Sequence, residues 1–481
     1  MQRVKTWFAP RNMTTGAPWQ RILGFAVPML IGNIAQQLYA STDSAVVGQY
    51  VGDNALASVG SAGPIITFMI ALFVGISTGA GILVSQAFGA RNKQLLSTVI
   101  GNCITLTAIV SVLIMIVGVV LSPWLLRTLA TPDAIIQDAI AYLQIYFYGI
   151  LGFTYYNVLS GILRGLGDSF SALGFLLLTS VLNIILDLWF VIGFNWGVPG
   201  VAWATIISQS ISAILCYLKL TRMRENFEIT PHTFKLQRDT VKDIIRLGMP
   251  SGITQAIFSM AMILVQRLQN TFGPEVIATA IISMRVDGFA MMPNFSFGMA
   301  MTTFTGQNIG AKRIDRAHLG AKQGTLMAVS VATVMTLAVL IFGRSIMSLF
   351  TNTETIIDRG MHYIRILSVG FIGMAVIQSL SGVMRGAGDA ITPMWISMLT
   401  AVLLRVPLSY LLVELSKTPE LPAGRPEMMY YAMLITWLTG AITNFLAFRY
   451  GRWRKRAQIR MDSLSDQSDE AMVKLAAVEQ L

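Results

Sequence analysis

The sequence predicts an all-α, polytopic membrane protein made of twelve transmembrane helices in two similar six-helix lobes. Three observations carry this. Apolar residues fill 54% of the 481 positions, whereas Asp, Glu, Lys and Arg together fill 12%, about half the charge of an ordinary soluble domain. Apolar runs of about 20 residues, the length that crosses a bilayer, recur along the whole chain. The chain also repeats itself. Leu159-Ser160-Gly161-Ile162-Leu163-Arg164-Gly165-Leu166-Gly167-Asp168 returns as Leu380-Ser381-Gly382-Val383-Met384-Arg385-Gly386-Ala387-Gly388-Asp389, an offset of 221 residues that also relates Gln86 to Gln307 and Tyr142 to Tyr363. Pro28 and Pro250 keep an offset of 222. A constant offset over so many positions marks a duplicated unit.

The twelve spans are expected at 22–47, 56–84, 96–121, 138–162, 170–194, 199–220, 244–269, 276–304, 319–343, 361–383, 391–414 and 428–449. Six fall in the N-terminal lobe, 1–218, and six in the C-terminal lobe, 244–450. A polar cytoplasmic linker, 219–243, with Pro231 and a surface helix, joins them, and residues 451–481 form a tail. An even number of spans puts both termini on one side. Six per lobe gives both lobes the same orientation, so a pseudo-two-fold axis along the membrane normal relates them, with a cavity between. Lys and Arg choose the side: 26 flank the spans on the side of the termini and five on the other. By the positive-inside rule both termini are cytoplasmic and the protein sits in the cytoplasmic (inner) membrane. Met1 to Gln20 is polar and lacks the apolar core of a cleavable signal peptide.

Composition also excludes function classes. Cys103 and Cys216 lie in apolar runs and read as small buried hydrophobes. With these and three histidines, a zinc or haem centre is not expected. The net charge of +11 belongs to the loops between spans, which argues for membrane topology and against nucleic acid. No nucleophile–base pair points to an enzyme. The Arg-Gly-x-Gly-Asp copies lack the Lys-Ser/Thr of a phosphate loop. They read as a turn: an Arg at a helix C-terminus, glycines that let the backbone reverse, and an Asp capping the next helix.

Charge within a span is costly and marks function by default. Asp43 lies late in span one, four residues after Tyr39. Asp187 lies in span five, four after Asn183, on the same helical face. Thr205 begins span six. The topology puts Asp43, Asp187 and Thr205 at one depth, in the outer leaflet, where two acids, an amide and a hydroxyl could hold H⁺ or Na⁺ or be neutral structural acids. The second half has lost this set: Asn183 corresponds to Leu404 and Asp187 to Leu408. Span eight carries Arg285 and Asp287. Two residues apart on a helix, these face away from each other, so Asp287 is expected to pair with Arg267 of span seven, as a structural or gating pair or as a second coupling or substrate site. Methionine is skewed, with 21 of 27 after residue 240. Met260 and Met292 belong to a cluster in spans seven and eight that suits varied ligands.

Together, Pro28…Tyr39…Asp43, Asn183-Ile184-Ile185-Leu186-Asp187, Gly197-Val198-Pro199-Gly200 leading to Thr205, and the doubled Arg-Gly-x-Gly-Asp resemble the multidrug and toxic compound extrusion (MATE) family, bacterial type, over residues 20–450. The resemblance implies a V-shaped pair of lobes around a central cavity, no cofactor, and a monomer. It also implies export of amphipathic, often cationic organic cargo against H⁺ or Na⁺. It assigns Asp43, Asn183, Asp187 and Thr205 to a first-lobe cation site, which for Na⁺ would be its metal site. Tyr39, Gln36 and Asn157 go to the cavity and Pro28 to a bend of span one. Met260, Met292, Asp287 and Arg285 are the cargo candidates read from the second half. Spans seven and ten lack the acids of the family's sodium-coupled branch. The alternative is a flippase for a lipid-linked precursor, which would favour a broadly cationic cavity.

Overall fold

The computed structural model describes residues 10–51, 53–129 and 131–464. The side chains of 38–46, 48, 49, 53, 54 and 56 are outside the described set, so those of Tyr39 and Asp43 are not placed here.

The twelve expected spans are helices. Span one is Pro18–Val46, span two Asp53–Gly89 and span three Lys93–Thr128. Span four is a pair, Asp133–Tyr148 and Ile150–Gly165, bent by 51°. Span five is Ser169–Gly193 and span six Gly197–Thr221. The second series is Arg238–Asn270, Pro274–Gly310, Ile314–Met347, Glu354–Gly386, Ile391–Leu415 and Glu427–Tyr450. Ten of these helices are long and apolar enough to cross a bilayer, and span four makes eleven. Span one is 29 residues long. Among the described residues the β-pairing is one isolated bridge between Thr418 and Leu421. Several spans outrun their apolar cores because polar flanks continue the helix. Asn92, for example, caps span three by accepting from the Leu95 N–H at 2.9 Å.

Three spans change pitch. Single π-helical segments occupy Val47–Val51 at the end of span one, Trp189–Gly193 at the end of span five and Leu399–Leu404 within span eleven. Each lies within four residues of an intramembrane charge: Asp43, Asp187 and Arg405. Such segments are rare in helices and concentrate at functional sites.

The repeated motif does what its residues dictate. Gly167 and Gly388 reverse the chain at φ of +83° and +89°, a region that favours glycine. Asp168 then accepts from the Ser171 N–H at 2.9 Å and from the Ser171 hydroxyl at 2.7 Å, opening span five. Asp389 does the same to Thr392, at 3.2 and 2.8 Å. The earlier glycines of the motif are packing positions. A Cβ on Gly161 would meet Ser77 of span two, and one on Gly382 would meet Gly298 of span eight. Close approach through small residues is how helices associate in lipid, where burial drives little.

The chain divides into two compact units, and each borrows a helix end. The first lobe comprises Val27–Gly252 and residues 10–12; the second comprises Met13–Ala26 and Ile253–Ser463. Within the first lobe, Gly248 and Gly252 of span seven lie backbone-to-backbone against Gly75 and Gly79 of span two. The segment leading into span seven is held by span three: the Asn102 amide donates to the carbonyls of Thr233 and Lys235 and accepts from the Gln237 N–H at 2.7 Å. The second lobe holds the segment leading into span one in the same way. The Met13 N–H donates to Gln307 Oε1 at 2.8 Å, and the Met13 carbonyl accepts from Asn308 and Arg316.

The tail does not leave the protein at Tyr450. Residues 453–464 are helical, with Trp453, Ala457 and Met461 buried. Trp453 stacks on Phe448 at 5.1 Å between ring centres.

Candidate functional site

In the first lobe, spans five and six meet along a polar stripe. Thr179, Asn183 and Asp187 recur every four residues on span five, so they share one helical face. All three are buried, and Asn183 and Asp187 are 0% exposed. Thr179 hydrogen-bonds Ser212 of span six. Four residues on, the Asn183 amide lies between Asp187 and Thr205. Turned one way, its nitrogen donates to Asp187 Oδ2 at 2.9 Å while its oxygen accepts from the Thr205 N–H at 3.2 Å. Turned the other way, its nitrogen donates to Thr205 Oγ1 at 3.3 Å, and its oxygen faces the acid. The first arrangement suits a carboxylate and the second a carboxylic acid, since an amide oxygen can only accept. Asn183 can therefore satisfy Asp187 in either charge state. The oxygens of Asp187, Asn183 and Thr205 are hard donors of the kind that also hold Na⁺. Asp43, the remaining member of the expected set, lies outside the described side chains.

Just past Asp187, Trp189, Phe190, Phe194 and Trp196 stack with ring centres 5.0–6.1 Å apart. Aromatic groups of this kind anchor helix ends at a membrane interface.

The other expected cavity residues scatter. Gln36 is exposed, and Pro28 is buried within the helix Pro18–Val46. Asn157 turns its amide back to the Phe153 carbonyl at 2.8 Å, while its own carbonyl accepts from Ser77. Met260 is 48% exposed, whereas Met292 is half-buried and its carbonyl accepts from Ser296.

One expected pair is corrected. Among the described residues, no ion pair joins Asp287 to Arg267. Arg267 is exposed, and Arg285 lies over the Phe350 ring at 5.5 Å. Asp287 instead shares a neighbourhood with Tyr430 of span twelve. Tyr430 has both Asp287 and Arg405 within electrostatic reach. The expectation failed because helical periodicity fixes the face of Asp287 on its own span but not the span that face meets. The signal for Arg405 was present in the sequence: a basic residue within an apolar run.

Twelve helices, a duplicated six-span unit, and a buried acid read by an amide define a polytopic membrane transporter. The MatE family model matches twice, at residues 28–189 and 250–411, one match for each half. The chain belongs to the MATE family. It is 29% identical over 430 residues to the probable multidrug resistance protein YoeA of Bacillus subtilis, covering 87% of this chain and 92% of that one. It is 25% identical over 453 residues to the probable multidrug resistance protein NorM of Thermotoga maritima, covering 93% and 96%. Among solved structures it is similar to MATE in the straight conformation, with a TM-score of 0.83, 26% identity, and coverage of 95% and 98%. It is equally similar in fold to an outward-facing multidrug resistance MATE family transporter of the MOP superfamily, with a TM-score of 0.84, 25% identity, and coverage of 94% and 98%.

Proposed function

We propose that this transporter is a secondary antiporter that exports amphipathic, often cationic organic compounds in exchange for H⁺ or Na⁺. The cargo class follows the relatives, which bear multidrug resistance names. The observation that carries the coupling is Asp187: a fully buried acid inside a span, with Asn183 and Thr205 able to complement either charge state. Asp43 is the second acid of the set. Entry of H⁺ or Na⁺ neutralises the acids and removes their attraction for a cationic cargo. Ion and cargo thus oppose each other through a shared charge, which is a negative coupling free energy between two ligands. Pro28 is where span one bends as the set changes state. Both termini face the cytoplasm of a bacterial inner membrane, and one chain suffices.

The test is efflux of a fluorescent organic cation from proteoliposomes under a pH gradient and, separately, a Na⁺ gradient. Asp187→Asn should abolish export under the gradient that drives the wild-type protein. Undiminished export by Asp187→Asn under both gradients would show that Asp187 is structural.

A further inference from the structure

One end of the second lobe, where spans one and nine begin and span twelve finishes, carries more positive charge than its own acids match. Arg21 of span one and Arg313 and Arg316 of span nine form one group there. Arg313 and Arg21 both lie within electrostatic reach of Arg316. All three converge on one short loop. Arg316 Nη2 donates to the carbonyls of Met13 and Thr15 at 3.1 Å, Arg313 Nη1 to that of Thr14 at 2.6 Å, and Arg21 Nε to that of Thr15 at 3.1 Å. Neutral carbonyls hold the guanidiniums in place and leave their mutual repulsion uncompensated. Arg21 and Arg313 each spend one N–H in this way and keep the rest of the guanidinium fork for another acceptor.

A second group stands further along the same helix. His318, two residues after Arg316, stacks on Phe448 of span twelve with ring centres 5.6 Å apart, and Phe448 stacks in turn on Trp453. This column of rings seats the helix 453–464 on the lobe, and the Trp453 indole N–H donates to the Phe448 carbonyl at 2.6 Å. Arg449 and Arg454 are both within electrostatic reach of His318. The helix is amphipathic. Trp453, Ala457 and Met461 are buried, while Lys455 and Ile459, four residues apart, share an exposed face. Ile459 is 59% exposed, and Tyr450, just before the helix, is 79% exposed. Exposed apolar side chains set among Lys and Arg, on a helix that follows a span directly, are the pattern of a segment lying in the membrane interface.

The acids here are few. Asp315 is within electrostatic reach of His318, Asp389 is taken by Arg456, and Asp462 accepts from Gln458. Among the described residues no ion pair joins Arg21, Arg313, Arg316, Arg449, Arg454 or Lys455 to an acid. The other end of the lobe differs. There Arg344 contacts Glu354 and Asp358, Arg359 meets Glu275 at 3.3 Å, and Lys417 meets Glu414 at 2.7 Å. We propose that the unmatched cations bind the phosphate head groups of anionic phospholipid in the adjoining leaflet, and that this lipid fixes the helix 453–464 to the membrane surface. Guanidinium forks match phosphate oxygens bidentately, and Tyr450 and Ile459 enter the acyl boundary beside them. In the orientation proposed above the leaflet is the cytoplasmic one, whose negative surface potential draws basic segments. The binding itself does not depend on that orientation or on the export reading.

The purified full chain, in micelles of a neutral detergent, is titrated with phosphatidylglycerol, with phosphatidylcholine and with inorganic phosphate. Hydrogen exchange over 453–464 is the readout, and thermal unfolding without lipid checks folding. Phosphatidylglycerol should slow exchange there several-fold, and raising the salt to about 0.5 M should weaken the effect, because exposed charges are screened. Arg449→Gln, Arg454→Gln and Lys455→Gln combined should move the phosphatidylglycerol midpoint roughly a hundredfold, and Lys455→Gln alone about fivefold. Lys417→Gln, at the paired end, should leave it in place. Equal protection by phosphatidylcholine, or by inorganic phosphate alone, overturns the proposal. So does a folded triple variant with an unchanged midpoint, or a Lys417→Gln shift as large as that of Lys455→Gln. Should the triple variant not fold, Lys455→Gln decides by the same criterion.

Discussion

Arg456 donates to Asp389 at 2.7 Å, joining the helix after span twelve to the second copy of the repeated turn. The carboxylate is 1% exposed and the guanidinium 34%. Asp168, the same position in the first copy, has Lys219 at 3.9 Å instead. Both acids cap the helix that follows them, so the repeat conserves the cap and varies the cation that covers it.

Removing that cation should loosen the tail helix and leave the lobe intact. Arg456→Ala is expected to cost on the order of 1 kcal/mol, because the guanidinium is about a third exposed and its charge is partly screened. Hydrogen exchange should quicken across 453–464, with little change in span eleven, whose cap from Asp389 survives. Unchanged exchange over the tail would show that Trp453, Ala457 and Met461 hold it alone.

The first-lobe set gives a charge-specific prediction. Asp43→Asn and Asp187→Asn should each stop gradient-driven export while the protein still inserts and unfolds at its usual temperature. Asp187→Glu should retain part of the activity with a displaced pH profile, since it keeps the titrating group and moves it. Asn183→Leu should impair export without removing any charge, because a leucine serves neither state of Asp187. A normal rate in the Asn183→Leu protein would remove the amide from the coupling scheme.

The glycine contact between spans two and seven is a packing prediction. Gly79 lies against the backbone of Ile244 and Gly248, so Gly79→Val must push two helices apart. The expected loss is about 1–3 kcal/mol, as for other overpacked sites, read as a fall in the detergent melting temperature. Gly60, which has open space around a Cβ, should tolerate the same substitution.

The segment leading into span one is expected to exchange slowly for its position so near a terminus. Its Met13 N–H is held by Gln307, and losing one such bond costs about 1 kcal/mol. Gln307→Ala should therefore raise exchange at the Met13 amide several-fold, a local opening that leaves the rest of the lobe protected.

Topology can be tested without transport. Single cysteines introduced at 222–240 should react with an impermeant thiol reagent only from the cytoplasmic side. Reaction from outside in intact cells would reverse the orientation drawn from 26 flanking basic residues against five.

Much of this was written along the chain, because single-helix physics leaves one-dimensional traces. Bilayer thickness fixed the lengths of the apolar runs, and all twelve expected spans are helices. The offset of 221 residues disclosed the duplication, which the family model then matched in two segments. The capping role of Asp168 and Asp389 followed from an acid after a glycine turn. The four-residue spacing of Asn183 and Asp187 put them on one face, and a face is a property of one helix.

What tertiary structure alone decided concerns relations between helices. Span one changes lobe between Ala26 and Val27, and span seven between Gly252 and Ile253, although the sequence offered the polar linker as the natural border. A proline stands close to each border, Pro28 at the first and Pro250 at the second. Asp287 has Tyr430 of span twelve within electrostatic reach and forms no ion pair with Arg267 among the described residues, while Arg405 reaches Met433 of span twelve. Periodicity states which residues share a face; it carries no record of the rotation and crossing at which that face meets another helix. Those are set by the packing of small residues such as Gly79, Gly161 and Gly382 against backbones distant along the chain, and so only the folded chain could supply them.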